Sequence, residues 1–138
     1  MGLRSFLHRL TAPAPPGVGP EEACKMVLVV NHELKMGKGK IAAQVGHGAV
    51  MATLKSGAEQ PAFLEAWLAL GQKKVCVKGN NADHLMEIER AAKSAGILTT
   101  LVRDAGHTQI ASGSLTVVAL GPETGSKLDS ITGHLKLL

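Results

Sequence analysis

The sequence has no tyrosine, and its aromatic residues are Phe6, Phe63 and Trp67. Readers of single-stranded nucleic acid built on RRM or OB scaffolds stack bases on aromatic platforms, at about 1–3 kcal/mol per base. Phe63 and Trp67, four residues apart, read better as core than as such a platform, so any contact with nucleic acid has to rest on charge and backbone shape. Cysteine is scarce as well: Cys24 and Cys76 stand far apart and form no C-x-x-C pair. The histidines at 8, 32, 47, 84, 107 and 134 show neither H-x-x-x-H nor H-E-x-x-H spacing. No metal or other cofactor is therefore expected, and the thiols read as reduced, as in an intracellular protein. No uninterrupted apolar run is longer than the five residues of Met26–Val30, far short of the ~20 needed to span a membrane.

What is present is a core. Hydrophobic residues make up 45% and charged residues 19% of 138 positions, the composition of one globular domain with no room for a second. The net charge of +4 is unevenly placed. Residues 1–24 balance Arg4 and Arg9 against Glu21 and Glu22, and residues 57–138 hold eight basic and eight acidic residues. The excess therefore lies in residues 25–56, where Lys25, Lys35, Lys38, Lys40 and Lys55 face only Glu33. A local excess of this kind suits a phosphate-bearing partner; a solvated basic loop is the plainer alternative.

Residues 1–24 read as a tail, rich in Pro and Gly after residue 12. The first ten residues combine Arg4 and Arg9 with Leu3, Phe6, Leu7 and Leu10 and carry no acid, which also fits a short amphipathic targeting segment. The domain proper is expected over residues 25–138. Met26–Val30 reads as a strand buried on both faces. The Gly/Lys loop Lys35–Gly39 leads into a helix of about residues 40–55, with Ile41, Val45, Ala49 and Ala52 on one face. Gly46 and Gly48 each cost about 1 kcal/mol of helix propensity, so close packing or a ligand is expected at both. Pro61 opens a second helix ending at Gly71, Val75–Val77 is a strand, and Asn80 or Asn81 caps a third helix closed by Gly96. Ile97–Val102 and Leu115–Leu120 are strands, and Gly121-Pro122 opens a last helix. Two helical crossovers imply parallel pairing of the first three strands, and the non-helical link implies an antiparallel last pair. The expected fold is a three-layer α/β/α domain with a mixed four-stranded sheet.

Several motifs fail on their context. Gly37-x-Gly39-x-x-Ala42 matches the dinucleotide fingerprint, but six residues separate it from the preceding strand and no suitably placed acid follows. A P-loop would need Gly at Leu34 and Ser or Thr at Ile41. Two loops survive. Lys35-Met36-Gly37-Lys38-Gly39-Lys40 gathers lysines and glycines at a helix N-terminus, where backbone N–H groups and the helix dipole favour an anion. Lysines there are unfavourable unless an anion or acid answers them. Arg103-Asp104-Ala105-Gly106-His107-Thr108-Gln109 follows a strand directly, and open α/β sheets put their ligands at such strand ends. Lys40 and Asp104 can then meet, with hydroxyls from Thr108 and Thr116, though an Asx-turn at Asp104 is the plainer reading.

Together, Lys25–Val30, LKMGKGKIAAQVGH (Leu34–His47), DAGHTQI (Asp104–Ile110) and the ending ITGHLKLL resemble the type II peptidyl-tRNA hydrolases of archaea and eukaryotes, across about residues 25–138. The resemblance implies hydrolysis of the ester joining a peptide to the 3′ ribose of tRNA, a metal-free reaction and commonly a homodimer; a cytoplasmic setting is expected, with a mitochondrial one through the N-terminal segment as the alternative. The family's catalytic lysine, aspartate and two threonines match Lys40, Asp104, Thr108 and Thr116. Its Gln and His match Gln44 and His47. His107 stands where Lys or Arg is usual, Ser112 and Lys73 where Pro is usual, and Gly46 and Gly48 where alanines are usual.

On this reading Asp104 orients or deprotonates a water, alone or through Thr108, Lys40 stabilises the developing oxyanion, and Thr116 orients Asp104 or the substrate. His47 is the rival base. Lys35, Lys38 and His107 are the expected contacts to tRNA phosphates. A non-catalytic tRNA- or ribosome-binding module, or a signalling adaptor on the same fold, is the alternative. A nucleotide-binding enzyme using the Gly37–Lys40 loop is a third reading.

Overall fold

The structure is a computed structural model, and it describes residues 3, 7, 10, 11, 17–106 and 110–138. Strand β1 (Cys24–Asn31) is followed by a 3-10 turn (His32–Leu34) and helix α1 (Lys38–Glu59). Helix α2 (Pro61–Ala69), strand β2 (Lys74–Gly79) and helix α3 (Ala82–Ser94) come next. Strands β3 (Thr99–Arg103) and β4 (Leu115–Thr124) and helix α4 (Gly125–Thr132) complete the domain. Among the described residues, no helix is long and apolar enough to cross a membrane.

The sheet is mixed and four-stranded, in the order β2-β1-β4-β3. Side-chain alternation along β1 makes two cores. Val27 and Val29 face Leu85, Ile88 and Ala92 of α3 and Leu128 of α4. Met26, Leu28 and Val30 face Ala52 of α1 and Trp67 of α2. The strand is apolar throughout because both its faces are covered, which gives the three α/β/α layers.

Two sequence expectations need correction. The first three strands do run in one direction, but only β1 and β2 pair in parallel. Strand β4 inserts between β1 and β3 and is antiparallel to both, so β3 reaches the sheet only through it. Gly121-Pro122, a cis peptide, does not open the last helix but stays in β4. Leu120 pairs with Val27 and Glu123 with Lys25, so Gly121 and Pro122 together oppose one residue of β1. That bulge, past the first paired residue of β3, accepts a proline that a regular central strand would not. Gly121 has φ 93°, and a Cβ there would lie 2.7 Å from Glu123 N, so only glycine fits.

Helix α1 runs beyond the expected span at both ends. Its buried stripe is Gln44, Gly48, Ala52 and Ser56, with Ile41, Val45 and Ala49 half-buried beside it. The two glycines differ. A Cβ on Gly48 would lie 3.3 Å from both Leu28 Cδ2 and Val102 Cγ2, while Gly46 is exposed with nothing within 4 Å. Close packing therefore explains Gly48 and not Gly46. Trp67 is buried, donating from Nε1 to Lys73 O at 2.9 Å, and Phe63 packs half-buried against the same core, as expected of core residues. Gly46→Ala should thus stabilise the fold by about 0.5–1 kcal/mol through helix propensity. Gly48→Leu should cost about 1–3 kcal/mol through overpacking. Urea midpoints of the two variants would show these opposite signs; a loss in Gly46→Ala would contradict the assignment.

Candidate active site

The carboxyl ends of β1 and β3 open on the same edge of the sheet, and the antiparallel β4 begins there. That edge holds the end of β1 (Asn31), the first residue after β3 (Asp104) and the start of β4 (Leu115, Thr116). Helix α1 lies against β4, β3 and β1 with its first turn at this edge. Its N-cap is Gly37, which makes no side-chain cap, and its first turn carries Lys38 and Lys40 and no acid. The positive end of the helix dipole and two ammonium groups therefore need an anion.

Asp104 is that anion. Its side chain is 1% exposed and forms an ion pair with Lys40, which is 19% exposed. Its other carboxylate oxygen accepts the Gly106 N–H at 3.0 Å. The backbone is held too: Asp104 N–H donates to Ser114 O and Gly113 N–H donates to Asp104 O, both at 2.9 Å. Arg103 closes the same loop by donating to Gly113 O at 3.1 Å. The Asx-turn contact and the ion pair thus coexist, one on each oxygen.

Thr116 owes its position to an irregularity in β4. Val102 pairs with Val117 but Arg103 pairs with Leu115, so Thr116 is the extra residue of a β-bulge. Strict alternation would turn it away from the face of Val117; a bulge re-aims the side chain. Its hydroxyl lies 2.7 Å from Gln44 Oε1 and 3.0 Å from Val102 O, and it is fully buried. Lys40, Gln44 and His47, spaced i, i+4 and i+7, share one flank of α1. Gln44 is buried, whereas His47 is exposed and lines a cavity of about 300 Å³ with Val50, Met51, Leu101, Val102 and Arg103.

The structure thus brings together Lys40 with Asp104 and Gln44 with Thr116. Lys35 ends the 3-10 turn in a left-handed conformation (φ 47°), and Lys38 opens α1. His107 and Thr108 lie outside the described residues. The basic excess of residues 25–56 does not form one patch. Lys25 pairs with Asp129 at 2.6 Å, at the start of β1, and Lys55 donates to Thr99 O at 3.0 Å. Only Lys35, Lys38 and Lys40 remain at the site. Neither thiol belongs to it: burial, then the charges of Glu123 and Glu22, push Cys24 up to about 11, and burial raises Cys76. Sequence reasoning missed Asn31, a buried amide that donates to Leu115 O at 2.9 Å and so braces the start of β4. A polar residue ending the apolar run Met26–Val30 was the available signal.

The family model of the peptidyl-tRNA hydrolase PTH2 matches residues 24–138. The chain belongs to this family. It is 50% identical over 114 residues to a peptidyl-tRNA hydrolase of Methanocaldococcus jannaschii, covering 83% of this chain and 99% of that protein. It is 48% identical over 114 residues to the peptidyl-tRNA hydrolase of Thermococcus onnurineus, covering 83% and 97%. It is 45% identical over 120 residues to human mitochondrial peptidyl-tRNA hydrolase 2, covering 87% of this chain and 67% of the human one.

The Thr116 contacts carry a stability prediction of their own. Thr116→Val keeps the shape but takes away the single hydroxyl proton that the Gln44 and Val102 oxygens share, which should cost about 1–3 kcal/mol. Chemical denaturation of the purified variant measures it; an unchanged midpoint would mean that the bulge holds Gln44 without the hydroxyl.

Proposed function

We propose that this chain hydrolyses the ester linking an N-blocked peptide to the 3′ ribose of tRNA, and that the Lys40–Asp104 pair is its reaction centre. The observation that carries the reading is the placement of a buried carboxylate against a lysine at an uncapped helix N-terminus, on the ligand-binding edge of the sheet. The relatives' names support hydrolysis over the adaptor alternative.

Asp104 orients the attacking water and draws its proton, directly or through Thr108. As the carbonyl oxygen gains charge, the Lys40 ammonium and the α1 dipole stabilise it, with no metal required for that electrostatic work. Gln44 and Thr116 act as positioning residues that seat α1 against β4 and so hold Lys40 at Asp104. His47, exposed on the same flank of α1, is the rival base for that water. Lys35 and Lys38, together with His107, meet tRNA phosphates. A second copy of the chain is the proposed partner of the exposed apolar face of α1, where Val50 and Leu54 are 60% and 72% exposed. Residues 1–24 serve as a targeting segment in the mitochondrial reading, which the mammalian relatives' names favour; the cytoplasmic reading needs no role for them.

Release of labelled peptide from N-acetyl-aminoacyl-tRNA, with EDTA present, tests the reaction centre. Asp104→Asn should lose at least about a hundredfold in kcat, the typical worth of general-base help, with tRNA affinity nearly unchanged. Near-normal turnover would remove Asp104 from the chemistry. Replacing Lys35 and Lys38 by glutamine should lower the log–log salt slope of tRNA binding by up to about 2 units; an unchanged slope would make both solvated.

A further inference from the structure

A cavity with a distinct chemistry lies away from the Lys40–Asp104 pair. It has a volume of about 560 Å³ and is lined by His32, Lys78, Asn80, His84, His134 and Lys136, with one leucine. Four separate pieces of chain build it. His32 follows β1, Lys78 lies near the end of β2 with Asn80 just past it, and His84 sits in the first turn of α3. His134 and Lys136 come from the segment after α4. That segment is tied to the outer edge of β2: Lys78 N–H donates to Lys136 O at 2.9 Å and Leu138 N–H donates to Cys76 O at 3.1 Å. A bridge between Val77 and Leu137 lies between them.

The lining groups select their ligand. Two ammonium groups, three imidazoles and a carboxamide converge, and no carboxylate is among them. The nearest acids in sequence, Glu33 and Asp83, are exposed and do not line the cavity. His84 Nδ1 accepts the Asn80 N–H at 2.9 Å, so its ring proton sits on Nε2, which is left as a donor. The N-terminus of the 13-residue α3 adds its positive end. Two lysines oppose a metal cation, and among the described residues no group of three His, Cys, Asp or Glu is arranged to hold one. No Phe, Tyr or Trp lines the cavity, and lysines gathered without a carboxylate favour a phosphate read by charge.

We propose that this cavity is a second grip on the substrate, binding a backbone phosphate of the tRNA away from the scissile ester. The proposal rests on the reading that the substrate is a tRNA ester. Position supports it. The cavity opens on the same sheet edge as Asp104, three strand spacings away along β3-β4-β1-β2, or about 14 Å at ~4.8 Å per strand. The 3-10 turn joins the two places: His32 opens it and Lys35, whose N–H donates to His32 O at 3.2 Å, closes it. A basic track therefore runs from Lys38 through Lys35 and His32 into the cavity. A polyanion fixed by its ester at Lys40 and Asp104 can follow it. Contacts of this kind set register and orientation without reading sequence.

The test compares two substrates on the full chain: N-acetyl-aminoacyl-tRNA, and a short one keeping the ester and only the last three nucleotides. In the double variant Lys78→Gln, Lys136→Gln, the ratio of kcat/KM for the long over the short substrate should fall several-fold. The log–log salt slope of tRNA binding should drop by about 0.7–0.9 units for the lost phosphate contact. An unchanged ratio and slope overturn the proposal. An equal loss on both substrates overturns it as well, because it marks the lysines as structural. Asp104→Asn, run beside it, lowers turnover of both substrates with the salt slope intact; its failure to do so strikes the reaction centre and not the second grip.

Discussion

A carboxylate with one per cent of its side chain exposed cannot remain charged among apolar strands unless something answers it. Here the answer comes from a helix that itself lacks a cap. The first turn of α1 has lysines where acids are preferred and no side chain closing its amides. Each feature is unfavourable alone, and each is what the other requires. The Lys40–Asp104 pair therefore links the orientation of α1 to the loop after β3, and removing either partner leaves an uncompensated charge at a packed edge.

The rest of the domain serves that meeting. Insertion of β4 between β1 and β3 puts Asp104 next to the start of an antiparallel strand, where Ser114 and Gly113 hold its backbone on both sides. The bulge at Thr116 turns a hydroxyl toward Gln44 and locks the second turn of α1 onto β4. Gly48, one turn further, lets the helix come down onto Leu28, Val102 and Val117. A ladder of contacts four residues apart (40, 44, 48, 52) thus runs from the Lys40–Asp104 pair into the core. Rigidity at the site is a property of the helix–sheet interface and not of the loop alone.

Charge is divided by task. Lys25, Lys93 and Lys127 pair with Asp129, Glu89 and Glu123, and the last two acids are buried. The Lys25 and Lys127 pairs tie α4 to β1 and β4, whereas Lys93–Glu89 lies within α3, which reaches the sheet through Thr99 Oγ1 donating to Glu89. The cations at the opposite edge, from Lys38 to Lys136, have few acids among them. That asymmetry gives a chain of modest net charge one strongly basic edge, which is what a phosphate-rich substrate can follow.

The apolar, β-branched run Met26–Val30, a cap at Asn80 or Asn81 and the glycine closing α3 were legible because they are local. A strand buried on both faces, a side chain reaching an amide three residues on, and a turn needing positive φ all act within a few residues. The surviving loops, Lys35–Lys40 and Arg103–Gln109, were legible for the same reason, since like charges at a helix N-terminus call for a partner. What the sequence alone left undecided depended on pairing between distant segments. The place of β4 is set by which hydrophobic faces bury together. The fate of Pro122 is set by a bulge opposite β1, and the aim of Thr116 by a slip in register against β3. The cationic cavity was invisible for the same reason. Its residues come from positions 32 to 136, and only the folding of the C-terminal segment against β2 brings them to one place.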